Sequence, residues 1–115
     1  MAELDIQEHQ AGEVIILDLA GKMTIGEGST MLREAIHRLI EKDEKKILLN
    51  LAQVTLIDSS GIGALISCYA TVNRVGGQIK LLNVTKRVRD LLSLTKLLTV
   101  FDVYEDELKA LHDYR

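Results

Sequence analysis

The six residues Asp58-Ser59-Ser60-Gly61-Ile62-Gly63 stand between an apolar run and a helical pattern. The apolar run extends from Ile47 to Ile57, and the helical pattern extends from Ala64 to Val75. We therefore expect a strand that ends in a small polar loop, from which a helix begins. The first amides of a helix lack partners within it, and they lie at the positive end of the helix dipole. The pattern is typical of a serine that is phosphorylated or that caps the helix.

A catalytic role for Ser59 or Ser60 is not favoured, because no histidine or lysine lies nearby in the sequence to act as a base. The spacing is neither G-x-S-x-G nor G-x-x-x-x-G-K-[ST], so the loop matches neither a nucleophile elbow nor a nucleotide-binding P-loop. On residue types alone, a purely structural turn explains the loop as well as a functional site does. Asp and Ser are common helix caps, and glycine is common where a strand turns into a helix.

The composition is that of one small globular domain, which we place at residues 1–115. Of the 115 residues, 47% are hydrophobic and 27% are charged, but only 3% are aromatic. The core must therefore consist of Leu, Ile and Val, with little aromatic surface for stacking bases. The net charge of −3 argues against nucleic acid as a partner. Lys86, Arg87 and Arg89 form the one local basic excess, interpreted as a solvated helix face or, alternatively, as a surface for an acidic partner.

Cysteine and histidine usage predicts neither a disulfide nor a metal site. Cys68 is the single cysteine and is expected to pack as a small apolar residue, in keeping with a reducing cytoplasm. His9, His37 and His112 are far apart and show no metal-ligand spacing, so we expect no metal and no cofactor. The segment Met1-Ala2-Glu3-Leu4-Asp5 lacks the apolar region of a signal peptide, and no apolar run approaches 18 residues. We expect no membrane insertion and a cytoplasmic location.

The first half of the chain predicts a hairpin followed by a long loop and a helix. A strand around Leu4 and Ile6 is joined through a turn at 10–13 to a buried strand at 14–19. The loop is predicted from Gly21 to Gly28, with Ser29 or Thr30 as the cap of the helix that follows. The apolar stripe of that helix is Met31, Leu32, Ala35, Ile36, Leu39 and Ile40.

The second half predicts an alternation of helices and strands. The helix after the motif should bury Leu65, Ile66, Tyr69 and Val72 and end at Gly76-Gly77. A strand at 79–84, a helix containing Val88, Leu91 and Leu92, a strand at 100–104 and a helix at 106–114 follow. The fold class is therefore α/β, with a mixed, mostly parallel sheet of about five strands, opened by an N-terminal hairpin, and about four helices.

The motif at residues 58–63 resembles the signature of STAS domains, specifically the bacterial anti-sigma factor antagonists. The resemblance covers nearly the whole chain and includes Gly21, Leu49-Asn50-Leu51, Gly76-Gly77, Ile79-Lys80-Leu81, Val88-Arg89-Asp90-Leu91-Leu92 and Leu97-Leu98-Thr99-Val100-Phe101. It implies that Ser59 is the phosphorylation site and that an anti-sigma factor with serine kinase activity is both kinase and partner. The unphosphorylated protein would sequester that factor and release a sigma factor for transcription, and phosphorylation would end the binding.

The resemblance also implies a partner-binding surface around the serine. It comprises Asp58, Ser60, Gly61, Ile62, Thr24 and Glu27. The best-known members of the family carry an acid at the position of Thr24, beside the phosphorylated serine, where it assists partner binding or phosphotransfer. Glu27 is the nearby acid considered as its substitute.

A second function of a different class stays open at this point. Stand-alone STAS domains also resemble subunits of ABC transport systems, which bind and steady an ATPase without needing phosphorylation. The intact Asp58-Ser59-Ser60-Gly61 sequence favours the phosphorylation switch, whereas Thr24 leaves room for the transport adaptor. In either case we expect a binding protein and not an enzyme, monomeric until it binds.

Overall fold

The computed structural model describes residues 3–115, so Met1 and Ala2 of the N-terminal segment considered above lie outside the described residues. The elements follow in the order β1 (Leu4–Ala11), β2 (Val14–Met23), α1 (Glu27–Glu41), β3 (Lys46–Ile57), α2 (Ser59–Arg74), β4 (Gln78–Leu82), α3 (Lys86–Leu94), a 3₁₀ turn (Leu97–Thr99), β5 (Val103–Tyr104) and α4 (Glu107–His112). This is the predicted order with a 3₁₀ turn added, and the α/β fold class is confirmed.

The five strands form one sheet in the order β1-β2-β3-β4-β5. The opening hairpin is antiparallel, with Leu4 opposite Gly21 and Ala11 opposite Val14, and its turn lies at 12–13 as predicted. The pairs β2–β3, β3–β4 and β4–β5 are parallel. The carboxyl ends of four strands therefore meet at one edge of the sheet, and the loops before α1, α2 and α3 lie together there.

Alternate residues of the central strands pack in two separate cores, because successive side chains of a strand point to opposite faces of the sheet. The larger core lies under α1, α2 and α3 and includes Leu17, Leu49 and Leu81. The smaller one lies under α4, where Leu48 and Leu82 pack with other apolar side chains. Helices on both faces explain why β3 is an almost continuous apolar run in the sequence.

The predicted loop at 21–28 is wrong at both ends. Strand β2 continues to Met23, because β1 on one side and β3 on the other supply it with hydrogen-bonding partners. Helix α1 begins at Glu27 with Gly26 as its N-cap, so neither Ser29 nor Thr30 is the cap. Their hydroxyls instead donate to the carbonyls of Thr24 and Gly26, at 2.9 and 3.1 Å. The true loop is only residues 24–26.

Three further predictions are corrected in the second half. The predicted strand at 100–104 is reduced to Val103–Tyr104, because only these residues pair with Leu81 and Leu82 of β4 and the chain before them forms the 3₁₀ turn. Ile66 is 46% exposed instead of buried. The terminal helix spans Glu107–His112, with Asp106 as its cap, and is shorter than predicted.

Within residues 3–115, no helix is both long enough and apolar enough to cross a membrane.

Candidate functional site

Asp58 organises the loop between β3 and α2. Its Oδ1 accepts hydrogen bonds from the backbone N–H groups of Ser60 and Gly61, at 2.9 and 3.1 Å. Its Oδ2 accepts a third from the N–H of Ile25, at 3.0 Å. The first two bonds make it the N-cap of α2, so the cap is the acid and not one of the two serines. The third ties the loop before α1 to the start of α2, so one carboxylate fixes two loops side by side.

These bonds hold Asp58 in its charged form. The N–H of Ile25 lowers the pKa of the carboxyl below its ordinary value of 3.8, and the N–H groups of Gly61 and Ser60 act in the same direction against partial desolvation. The site thus carries a fixed negative charge immediately before Ser59 near neutral pH.

Two glycines allow the backbones of α1 and α2 to approach the backbone of β2 closely. A Cβ on Gly61 would lie 2.2 Å from the carbonyl oxygen of Met23, and one on Gly28 would lie 2.3 Å from that of Lys22. No side chain fits at either distance. The last two residues of β2 therefore pack closely against the first turns of both α1 and α2. The three segments form one rigid unit behind the serines.

The residues of the motif differ in how accessible they are. Ser59, the first residue of α2, is exposed, whereas Ser60 is half-buried. Gly61 is buried, and Ile62, at 6% exposure, packs in the larger core. The hydroxyl of Ser59 is thus accessible to solvent, whereas Gly61 and Ile62 pack in the interior behind it.

The structure places Thr24 beside an acid other than the one considered from sequence. The Thr24 hydroxyl donates to Oε2 of Glu3 at 3.4 Å, while its carbonyl accepts from Ser29. Glu27 lies exposed in the first turn of α1. Glu3 could have been found from the sequence, because a hairpin turning at 12–13 brings residue 3 opposite residue 22, two positions before Thr24.

Ile25 is a second residue that sequence reasoning missed. Its N–H binds Asp58, and its side chain is 75% exposed, next to the start of α2. A single exposed apolar side chain is ordinary on a protein surface, so what distinguishes Ile25 is its backbone bond to Asp58 beside the motif. Its only sequence signal is an apolar residue between Thr24 and Gly26 that belongs to no periodic pattern.

Three features of the described residues bear on whether the site could carry out nucleophilic or metal chemistry. None of the side-chain hydrogen bonds within the described residues joins Ser59 to a base. Burial raises the pKa of the Cys68 thiol to about 12, which leaves it protonated and unreactive. In the described part of the chain, no three His, Cys, Asp or Glu side chains are grouped so as to hold a metal ion.

Comparison with known proteins points to one family. The model of the STAS domain matches residues 5–110 of this chain. The anti-sigma F factor antagonist of Paenibacillus polymyxa is 30% identical over 105 residues, which are 90% of this chain and 88% of that protein.

Solved structures share the fold. An anti-sigma factor antagonist from Mycobacterium paratuberculosis superimposes with a TM-score of 0.82 at 19% identity, over 97% of this chain and 94% of that one. The Bacillus cell fate determinant SpoIIAA, in its phosphorylated form, superimposes with a TM-score of 0.74 at 21% identity, over 94% of this chain and 97% of that one.

Proposed function

The chain belongs to the STAS domain family, and on that premise we propose that it is an anti-sigma factor antagonist controlled by phosphorylation of Ser59. The unphosphorylated form binds and sequesters an anti-sigma factor with serine kinase activity, and a sigma factor is thereby released for transcription. The observation that carries the proposal is the exposed Ser59 at the start of α2, held in a rigid frame by Asp58. A cytoplasmic protein, monomeric until it binds, fits this role.

The physical basis of the switch is the charge that phosphorylation adds. A phosphate contributes about −1.5 to −2 charges, here immediately after the ionised Asp58. The start of α2 tolerates an anion on the exposed Ser59, because the positive end of the helix dipole favours one, so the domain should stay folded. The added charge should instead weaken the binding of the partner. A charge desolvated in an interface without a counter-charge costs several kcal/mol, and about 1.4 kcal/mol changes affinity tenfold.

The docking surface is proposed to centre on Ser59 and to include Asp58, Ser60, Thr24, Glu27 and Ile25. Ile25 supplies exposed apolar area, and the polar side chains around it form a rim. Gly61 and Ile62 hold the backbone of this surface in place from beneath. No step in this role needs a reaction catalysed by the chain itself.

The proposal is tested by affinity capture from a lysate of the source organism, with bound proteins identified by mass spectrometry. The baits are wild type, Ser59→Ala and Ser59→Glu, with Ser93→Glu as a control that adds the same charge at an exposed serine of α3. A kinase-like anti-sigma factor should be held by wild type, Ser59→Ala and the control, and lost with Ser59→Glu. An ABC ATPase held equally by all four baits would reject the switch in favour of the transport adaptor.

A further inference from the structure

Arg33 of α1 lies against α2 close to Ser59. The position that a Cβ would occupy at Gly63 is 3.6 Å from Nη2 of Arg33. Gly63 is one helical turn beyond Ser59 on the same side of α2, and Cβ atoms four residues apart on a helix are about 5–6 Å from one another. The guanidinium nitrogen therefore lies within about 10 Å of the Ser59 Cβ.

The guanidinium of Arg33 has no acidic partner within the described residues. None of the ion pairs or side-chain hydrogen bonds of residues 3–115 includes Arg33, although it is half-buried. Its charge acts on α2 all the same, because it opposes the rise in the pKa of Cys68. A half-buried arginine that lies on a neighbouring helix without an acid is available to a new anion there.

The other cations near the loop are less well placed. Lys22 is exposed and alternates with the buried Met23, so it points to the sheet face opposite α1 and α2. Lys86 is already paired with Asp90 at 3.2 Å. Arg33 alone among these lies beside the turn of α2 that follows Ser59.

We propose that Arg33 is the counter-charge of phosphorylated Ser59, a deepening that rests on the proposed phosphorylation of that residue. The phosphate reaches beyond the Ser59 hydroxyl, and rotation about the last bonds of the arginine side chain closes the remaining gap. The guanidinium then donates to phosphate oxygens, which offsets the repulsion from Asp58. The pair holds the phosphate against α2, within the surface where the partner docks, so that the modified side chain cannot swing away from the interface.

The test is a phosphorus NMR titration of protein carrying genetically encoded phosphoserine at position 59, compared with Arg33→Gln, Arg33→Lys and Arg38→Gln versions. Arg38→Gln is the matched control, since it removes the same charge from an exposed position of the same helix. A nearby cation favours the doubly charged phosphate, so its second pKa, ordinarily about 6, should be lower in wild type and in Arg38→Gln than in Arg33→Gln. Arg33→Gln should raise this second pKa by roughly half a pH unit, because the pair is only partly desolvated. Arg33→Lys keeps a cation at the position, so its second pKa should be close to that of wild type.

Equal midpoints in wild type, Arg33→Gln and Arg38→Gln would overturn the proposal, as would an equal shift in the two Gln variants. Because the phosphoserine is encoded genetically, the titration needs neither a kinase nor an anti-sigma factor. Failure of Arg33 as the counter-charge is therefore distinguishable from failure of the proposed function, which is measured by partner capture.

Discussion

At the scale of single residues, Asp58 shows how one side chain joins two loops that are far apart in sequence. Its two oxygens accept from Ile25, Ser60 and Gly61, and these N–H groups would otherwise lack partners in the loop and the first turn of α2. The residue is a helix cap and the anchor of the candidate docking surface at once. Changes at Asp58 should therefore affect stability and binding together, whereas changes at Ser59 should affect binding alone.

The lowered pKa of Asp58 predicts a specific pH dependence of stability. A carboxyl whose pKa is lower in the folded state stabilises the fold above its ordinary value of 3.8, and this contribution is lost as the pH falls through the folded-state pKa. Asp58→Asn keeps a capping side chain but loses the charge. The stability of wild type relative to Asp58→Asn, from urea denaturation between pH 6 and pH 2.5, should shrink on acidification. A difference that does not change with pH would contradict the assignment.

Gly61 and Gly63 provide a matched pair for testing the backbone contact behind the site. Gly61→Ala puts a methyl group 2.2 Å from the Met23 carbonyl oxygen and should lower the free energy of unfolding by about 2 kcal/mol or more. Gly63→Ala has its nearest neighbour at 3.6 Å and should be neutral or stabilising by up to about 1 kcal/mol, because alanine favours helices. Chemical denaturation of both variants and wild type measures these changes in the free energy of unfolding. Equal losses would mean that the close approach to β2 does not limit this position.

At the scale of elements, strand β4 carries a buried lysine on the sheet face that α4 covers. Lys80 of β4 is 7% exposed in its side chain and bonds Asp102 at 2.9 Å. Its ammonium lies 5.2 and 5.6 Å from the ring centroids of Tyr114 and Tyr104. The aliphatic stem thus packs between the sheet and two aromatic rings, while Asp102, which is largely exposed, meets only the charged end.

This environment predicts that packing outweighs charge at Lys80. Lys80→Met retains a long flexible stem and should change the free energy of unfolding by no more than about 1 kcal/mol, since Asp102 is largely exposed and stays hydrated when its partner is removed. Lys80→Ala removes the stem and should cost about 1–2 kcal/mol more. Urea denaturation of the two variants measures the difference. If Met were as costly as Ala, the charge and not the stem would be the stabilising part.

Also at this scale, the central elements were predictable and the marginal ones were not. Strand β3 and the start of α2 followed from a long apolar run and a good capping residue, both of which are local signals. The end of β2 depends on pairing with β1 and β3, and β5 depends on two residues of β4. Ile66 fits the apolar period of α2 but is exposed to solvent. The period shows which residues share a helix face, but it does not show how much of that face neighbouring elements cover.

The candidate site was predictable only in part, for the same reason. Asp58, Ser59 and Ser60 are contiguous, so the sequence alone places them together. Ile25, Arg33 and Glu3 reach the site through tertiary structure. Ile25 lies 33 residues before Asp58, so no local pattern connects the two, whereas Glu3 reaches Thr24 through the register of the opening hairpin.

At the scale of the whole molecule, the chain is compact, with a radius of gyration of 12.8 Å. The segments behind the start of α2 are held together by the close contacts of Gly28 and Gly61 with the backbone of β2. Phosphorylation of Ser59 is therefore expected to change what the surface binds and to leave the fold as it is.

That expectation is open to test by comparing amide NMR spectra of the unmodified protein and of protein with encoded phosphoserine at position 59. Shift changes should be confined to residues near 24–33 and 58–63, with the rest of the spectrum and the far-UV circular dichroism unchanged. Changes spread through β4, β5 and α4 would show instead that the modification alters the fold.

The central claim is that phosphorylation of Ser59 abolishes binding to an anti-sigma factor. The most direct measurement is the dissociation constant of the factor captured by the wild-type bait, determined by calorimetry with unmodified protein and with protein carrying phosphoserine at 59. We expect a weakening of at least about 100-fold, because the phosphate and Asp58 together carry more negative charge than Arg33 can balance and that excess would be desolvated in the interface. Equal affinity for the two forms, or tighter binding of the phosphorylated one, would contradict it.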